Sequence, residues 1–204
     1  MIAGIILAAG QPKHVGSARP LLVHDQAAVL DTVARNFRAS ALDDVITVVG
    51  YEARRIVQRI STQGLKVIIN GQFRMGLSSS LQRGLAYIPP RCRAVMIALG
   101  DMPLVSPATI NTLAGEHRKG KKGITVPVHA KQYGHPVVID MKYLEFLLGL
   151  RGELGAHAAL EAFPKDVREV KITSDEVLRD VDTHDDFERI RPLLNQPARI
   201  PALA

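Results

Sequence analysis

Hydrophobic and polar positions recur along the chain with two periods, one typical of strands and one typical of helices. The first apolar run is AGIILAAG at residues 3–10, and a stretch follows in which Leu30, Val33 and Phe37 share one helix face. A second apolar run, DVITVVGY, occupies residues 44–51. These segments predict a strand, a helix and a second strand in succession, which is the opening of an α/β fold.

The same alternation continues through most of the chain. Further strands are predicted at LKVIIN, AVMIALGD, GITVPV, HPVVID and VREVKI, and further helices at EARRIVQRIST, SSSLQRGLAYI, SPATINTLAGEHR, MKYLEFLLGL, LGAHAALEAF and DDFERIRPLL. Strands that keep returning after helices predict a mostly parallel sheet covered on both faces, in three layers. We expect one domain over residues 1–194 and a loosely held tail at 195–204, where two prolines interrupt any pattern.

Composition narrows the classes of protein. The 204 residues are 47% hydrophobic with no tryptophan, which suits an aliphatic core and excludes a disordered or fibrous chain. Cys92 is the only cysteine, so an internal disulfide is excluded and a reducing cytoplasm is expected. No apolar stretch approaches the roughly 18 residues of a membrane span, so we expect no membrane partner.

Charge favours an anionic partner. Lys and Arg number 26 against 20 Asp and Glu, which gives a net charge of +6. The densest basic run, HRKGKKG at residues 117–123, lacks interleaved aromatic residues and is interpreted as a solvated loop. We therefore expect a nucleotide or phosphate ligand and no nucleic acid.

Ligands of open α/β sheets lie outside the carboxyl ends of the strands. That rule selects three loops, at residues 10–19, 70–80 and 100–103. The first loop is not a phosphate-binding loop of the Walker type, because five residues separate Gly10 from Gly16 and Ser17 stands where a lysine is required. What remains is a turn of small residues followed by Lys13, His14 and Arg19. Such a turn can offer backbone N–H groups to a phosphate, although an ordinary connecting loop is an alternative.

Two acidic segments predict a metal site. Asp101 directly follows an apolar strand in LGDMPL, where a carboxylate needs a compensating cation, and Mg²⁺ is the natural one beside phosphates. The alternative is a capping role in the turn before Pro103. In RDVDTHDDFE, Asp180 and Asp182 share a face if the segment is extended, and one of them could join the metal. A helix N-cap at Thr183 explains part of that cluster equally well.

Three serines stand where a helix is predicted to begin. In NGQFRMGLSSSLQRGL, the hydroxyls of Ser78, Ser79 and Ser80 could bind a base, a ribose or a phosphate, whereas N-capping explains one of them. His135 precedes a proline at the head of an apolar strand, and a lone histidine is more often structural. Neither Cys92 nor the other histidines have metal-ligand spacing.

Six segments together resemble the MobA-like nucleotidyltransferase family, most closely its molybdenum cofactor cytidylyltransferase branch. They are LAAG with Gly16 and the following LL, GLSSSLQRGL, GDMPLV, GHPVVI, LRGELGA and DVDTHDDFERI, in family order over residues 2–190. The resemblance implies a Rossmann-like nucleotidyltransferase fold and a Mg²⁺-dependent reaction. In that family a phosphorylated acceptor attacks the α-phosphorus of a nucleoside triphosphate and pyrophosphate leaves.

The resemblance also implies residue roles. It places the nucleotide at Leu7, Ala8, Ala9, Gly10, His14, Gly16, Arg19, Ser78, Ser79 and Ser80. It implies catalytic roles for Arg19 and Asp101, Mg²⁺ at Asp101 with Asp182 as a second ligand, and an acceptor side formed by His135, Gly152 and Glu153. Ala9, where the guanylyl branch usually has glycine, favours cytidine.

The expected function is transfer of CMP from CTP, or of another nucleotide from its triphosphate, to a molybdopterin-type acceptor. A molybdoenzyme or a cofactor-delivery protein is a further partner in this interpretation. The family loop reads roughly LAAGxSxRMGxxK, so His14 and Arg19 replace an arginine and a lysine. Two alternatives therefore stay open: another phosphorylated acceptor such as a sugar phosphate, or a non-catalytic relative that binds a nucleotide or cofactor.

Overall fold

The computed structural model of the chain describes residues 1–11, 23–60 and 65–194. The strands are β1 (Ile2–Ala8), β2 (Asp44–Val49), β3 (Lys66–Ile69), β4 (Ala94–Leu99), β5 (Ile124–His129), β6 (Gln132–Tyr133), β7 (Val137–Asp140) and β8 (Val167–Lys171). The helices are α1 (Val23–Arg38), α2 (Ala53–Val57), α3 (Leu77–Leu85), α4 (Pro107–Lys119), α5 (Leu144–Gly149), α6 (Ala158–Ala162) and α7 (His184–Leu194). The tail predicted at residues 195–204 lies outside the described residues.

The strands form one mixed sheet that is mostly parallel. Its order is β3-β2-β1-β4-β7-β5, and both β6 and β8 pair with β5. The first four strands are parallel, as is the β5–β8 pair, whereas β7 is antiparallel to β4 and β5. The α/β class and the mostly parallel sheet expected from the sequence are therefore confirmed.

Antiparallel pairing enters through one tight turn after β5. Ala130 and Lys131 have φ values of 47° and 66°, and they connect His129 to its partner Gln132. Positive φ at both central residues is the backbone of a type I′ hairpin turn, which reverses the chain without a helix. The chain therefore returns along β5 as β6 and β7 instead of crossing over to a parallel position.

Side chains of β1 alternate between two hydrophobic cores, as the period of a strand requires. Ile2 and Ile6 face the core formed with α1, α2 and α4, to which Leu30, Val33 and Phe37 of α1 belong. Ile5 belongs to the core formed with α3, α5 and α6 on the other face. The sheet is therefore the middle layer of three. Among the described helices, none combines the length and apolar character needed to cross a membrane.

Candidate active site

A cleft of about 630 Å³ opens at the carboxyl ends of β1 and β4. It is lined by residues 7–11, by Gln26, Val29 and Leu30 of α1, by Ile56, by Phe73, Arg74, Gly76, Leu77 and Ser80, by residues 99–101, by Glu153 and by residues 180–182. This is the place that strand direction predicts for a ligand of an open α/β sheet. Of the nucleotide residues predicted from the sequence, Leu7, Ala8, Ala9, Gly10 and Ser80 line it.

The floor of the cleft is formed by small residues that approach closely. A Cβ atom added at Gly100 would lie 2.5 Å from the Cβ of Ala8, and one added at Gly50 would lie 2.9 Å from the Cβ of Ala9. The amide of Gly100 donates to the carbonyl of Leu7 at 2.8 Å. Larger residues at these positions would push the end of β1 out of place, so the small-residue turn has a packing role besides any ligand role.

The two acidic segments meet at the cleft. The amide of Val181 donates to the carbonyl of Asp101 at 2.9 Å, and the side chain of Val181 is buried. Asp180, Val181 and Asp182 all line the cleft together with Asp101. The sequence prediction that Asp180 and Asp182 share one face of an extended segment stays a prediction, because the structure has no strand at residues 179–182.

The N-cap predicted at Thr183 is present as well. The Thr183 hydroxyl accepts from the amide of Asp186 at 3.1 Å, and the Asp186 carboxylate accepts from the amide of Thr183 at 3.1 Å. This reciprocal pair is a capping box, with aspartate in the place usually held by glutamate or glutamine. The two interpretations of the acidic cluster are therefore compatible, since Thr183 starts α7 while Asp182 faces the cleft.

The donor set beside the cleft suits a hard divalent cation. Carboxylate oxygens of Asp101 and Asp182 are ligands that Mg²⁺ and Mn²⁺ accept, and such ions commonly take one or two carboxylates together with substrate phosphates. Within the described residues, no group of three or more His, Cys, Asp or Glu side chains could hold a metal ion. A site completed by phosphate oxygens fits these residues better than a closed protein cage.

Asn70 organises two of the three serines at the start of α3. Its side-chain amide donates to the hydroxyls of Ser79 and Ser80, both at 3.0 Å, and Asn70 itself is 4% exposed. Ser78 is buried and its amide donates to the carbonyl of Gly152 at 3.0 Å. The N-cap of α3 is Gly76, which makes no side-chain cap. N-capping by a serine, the simpler sequence interpretation, is therefore wrong, and Ser80 is the serine on the cleft surface.

Two glycines bring the predicted acceptor segment to the same place. Gly76 has φ of 94° and Gly152 has φ of 63°, in the left-handed region that favours glycine. A Cβ atom at Gly76 would lie 2.3 Å from the carbonyl oxygen of Gly152. The close approach of Gly76 to Gly152, together with the hydrogen bond from Ser78 to Gly152, holds the loop of Gly152 and Glu153 against the start of α3. Glu153 lines the cleft.

His135 is not among the described residues that line the cleft. Its ring stacks on that of His157, with centroids 4.2 Å apart and planes at 11°, and its amide donates to the carbonyl of Val177 at 2.9 Å. Burial, and secondarily the neighbouring His157, lower the pKa of His135 to about 3. His135 is therefore neutral at physiological pH, and its predicted acceptor role stays a prediction.

Arg74 is a cleft residue that the sequence reasoning did not single out. Among the lining residues in the described part of the chain, it carries the only cationic side chain, facing a cleft that also holds four carboxylates. Its guanidinium carbon lies 5.8 Å from the centroid of the Phe73 ring. The available signal was a basic residue in the loop after the predicted strand LKVIIN. His14, Gly16 and Arg19, which the sequence reasoning did select, lie outside the described residues.

The sequence model of the MobA-like NTP transferase domain matches residues 4–169. The chain belongs to this family. The match ends before residues 180–182, so the second acidic segment of the cleft lies beyond the part that the family model covers.

Full-length relatives and a solved structure agree with this family. The chain is 26% identical over 184 residues to the molybdenum cofactor cytidylyltransferase of Escherichia coli strain K12, covering 90% of this chain and 92% of the relative. It is 25% identical over 197 residues to the nicotine blue oxidoreductase of Paenarthrobacter nicotinovorans, covering 93% and 96%. The crystal structure of Rv0371c from Mycobacterium tuberculosis H37Rv in complex with manganese superposes with a TM-score of 0.72 at 28% identity, covering 93% and 97%. The Rossmann-like nucleotidyltransferase fold of this MobA-like protein is confirmed.

Proposed function

We propose that this MobA-like protein is a Mg²⁺-dependent cytidylyltransferase that transfers CMP from CTP to a molybdopterin-type acceptor and releases pyrophosphate. The observation that carries the proposal is that a single cleft is lined by Ala8, Ala9 and Gly10, by Ser80, and by the carboxylates of Asp101 and Asp182. Family membership supports nucleotidyl transfer, and the relative from Escherichia coli supports the nucleotide and acceptor.

In this proposal, Asp101 and Asp182 would hold Mg²⁺. The bound ion would neutralise charge on the triphosphate and on the leaving pyrophosphate. The acceptor's terminal phosphate oxygen forms a bond to the α-phosphorus of CTP, and the bond from that phosphorus to the bridging oxygen of the β-phosphate breaks. No atom of the protein enters the bonds that change, so the protein contributes position and electrostatics.

The remaining residues bind and orient the substrates. The turn at Ala8, Ala9 and Gly10 would place backbone N–H groups beside the triphosphate, which is how small-residue turns bind phosphates. Ser80, whose hydroxyl already accepts from Asn70, would contribute its own proton to the base or ribose. Arg74, which lines the same cleft, would offset phosphate charge, and Gly152 with Glu153 would face the acceptor.

Pyrophosphate release tests the proposal directly. Purified protein is incubated with Mg²⁺, molybdenum-loaded molybdopterin and, separately, CTP, GTP, ATP or UTP. We expect release with CTP, and a loss of at least about 100-fold in the Asp101→Asn variant, because a metal clamp contributes several kcal/mol to the transition state. Asp185→Asn is the matched control, since Asp185 is exposed at the start of α7 and does not line the cleft.

The other outcomes separate the alternatives. Release that requires a sugar phosphate in place of molybdopterin would assign a different phosphorylated acceptor. CTP binding without release, in the presence of a competent acceptor, would assign a non-catalytic binding protein. Full activity in Asp101→Asn would contradict the metal role.

We further propose a cytoplasmic location and delivery of the product to a molybdoenzyme or a cofactor-delivery protein.

A further inference from the structure

The segment carrying Asp182 is anchored at two points that lie close together in sequence. On one side, Val181 bonds through its amide to the carbonyl of Asp101. On the other side, Nδ1 of His184 donates to Oδ2 of Asp25 at 3.0 Å. Asp25 lies in the first turn of α1 and is 1% exposed. Asp182 thus lies between an anchor to the end of β4 and an anchor to the start of α1.

The second anchor joins parts of the chain that are far apart in sequence. Asp25 and His184 are separated by 159 residues, and their contact places the start of α7 against the start of α1. Val29 of α1 packs beside it with Val181, Phe187 and Ile190 in a small apolar cluster. Gln26, Val29 and Leu30, from the same part of α1, line the cleft. The anchor is therefore at the edge of the candidate active site.

A buried carboxylate makes this contact directional. An apolar cluster can hold two helices together while one slides against the other, because hydrophobic contacts have no preferred direction. A hydrogen bond to a carboxylate that is almost fully buried has a narrow range of distance and angle, and losing it leaves a polar group buried without that partner. The Asp25–His184 contact is thus suited to fixing where the preceding residues lie.

We propose that His184 is a positioning residue for the metal site: by bonding to buried Asp25, it holds the segment of residues 180–182 so that the Asp182 carboxylate faces Asp101. This inference rests on the proposed function insofar as Asp182 binds the metal. It depends on the Nδ1 hydrogen bond and not on the charge of the imidazole. Glu188, on the same helix, lies 4.0 Å from Nε2 and is not required.

Two amide substitutions of similar size test the geometry. The side-chain amide of asparagine is placed near the position of Nδ1, whereas that of glutamine is placed near the position of Nε2. His184→Asn therefore keeps a donor for Asp25, and His184→Gln moves it away. The control is Arg189→Ala on the same helix, because Arg189 is exposed and its ion pair is with Asp186.

The probe is Mn²⁺ alone, titrated by electron paramagnetic resonance with and without CTP. We expect His184→Gln to weaken Mn²⁺ binding about tenfold, as loss of a group that orients a metal ligand commonly does. We expect His184→Asn to recover most of that affinity, and Arg189→Ala to match the unaltered protein. Hydrogen exchange at the Val181 amide gives a second readout, faster in His184→Gln than in His184→Asn.

Each contrary result has a distinct meaning. Equal Mn²⁺ affinity in His184→Gln and the unaltered protein would overturn the positioning role and leave the proposed function intact. Equal weakening in the Asn and Gln variants would overturn the argument from Nδ1 geometry. Absence of Mn²⁺ binding by the unaltered protein, with and without CTP, would overturn the metal assignment and the positioning role together.

Discussion

The cleft end of the sheet and the outer edge at β5 and β8 use opposite means to hold their shape. At the cleft, glycines allow backbone to approach backbone, as where Gly76 meets Gly152. At the outer edge, side chains of opposite charge connect the elements: Asp166 pairs with Lys142, and Glu116 of α4 pairs with Arg168 of β8. The cleft therefore tolerates no added atoms at its close backbone contacts, whereas the outer edge depends on ion pairs that solvent and pH can weaken.

The largest effect is expected where an added methyl group meets backbone. Gly76→Ala puts a Cβ atom 2.3 Å from the carbonyl oxygen of Gly152 and forces an alanine into φ of 94°. We expect the free energy of unfolding to fall by about 3 kcal/mol, from left-handed strain and displacement of the Gly152 loop together. Urea unfolding of the variant measures this change.

The same substitution in α4 should have the opposite sign. Gly115 lies inside the helix, and a Cβ atom there would meet nothing within 4 Å. Gly115→Ala is expected to raise the free energy of unfolding by about 0.5–1 kcal/mol, because alanine loses less backbone entropy in a helix. If Gly76→Ala were as stable as Gly115→Ala, the close backbone contact could not be what shapes the cleft.

A smaller effect is expected for the cation on the cleft wall. Removing the charge in Arg74→Gln should weaken CTP binding about tenfold, since a hydrogen bond to a charged group contributes roughly 1.5–3 kcal/mol. The loss should shrink at high salt, because partly exposed charges are screened. Isothermal titration with CTP at two salt concentrations measures both.

Arg83→Gln is the matched control for Arg74. Arg83 belongs to α3 and does not line the cleft. Its guanidinium carbon lies 5.2 Å from the centroid of the Tyr87 ring. CTP affinity should be unchanged in this variant. Equal weakening in both variants would indicate a general effect of net charge and would contradict a specific role for Arg74.

The outer edge should respond to pH. The Lys142 amine, followed by the Tyr143 hydroxyl, lowers the pKa of Asp166 from 3.8 to about 2. A lowered pKa in the folded state stabilises the protein above about pH 4, and this contribution disappears as the pH falls from about 4 to about 2. After solvent screening of the pair, we expect Asp166→Asn to cost about 1 kcal/mol at pH 7.

Unfolding of Asp166→Asn and the unaltered protein between pH 2 and pH 7 checks this expectation. The stability gap should be mostly closed near pH 2, where the Asp166 carboxylate is about half protonated in the folded protein and almost fully protonated in the unfolded chain. A gap that keeps its full size at pH 2 would contradict the ionic origin. A change in CTP affinity at pH 7 would break the distinction between the two regions, since Asp166 does not line the cleft.

Much of the fold can be predicted from local patterns in the sequence. Leu30, Val33 and Phe37 lie in the core as their spacing predicts, because a helix buries one stripe whatever it packs against. The hairpin after β5 could not be predicted from the sequence. Its turn uses Ala130 and Lys131 at positive φ, in place of the asparagine and glycine that usually announce such a turn.

The candidate site likewise contains some residues that the sequence predicts and others that it does not. The rule about strand ends led to Asp101 and to the small residues after β1, since strand direction alone decides where those residues emerge. The roles of Asn70 and Gly76 could not be found this way, because they depend on contacts with Ser80 and Gly152 that no local pattern encodes. The pairing of Asp25 with His184 is the extreme case, since it spans 159 residues.

The backbone hydrogen bond from Val181 to Asp101 determines when the cleft can be completed during synthesis of the chain. Its two residues are 80 positions apart, so at a synthesis rate of about 5–20 residues per second, residue 181 is added about 4–16 s after residue 101. Strands β1, β2, β3 and β4 all precede it in the chain and can pair while synthesis continues. The nascent chain therefore has the floor of its cleft well before the wall that carries Asp182, and in the proposed enzyme metal-dependent turnover begins only after that wall has been made.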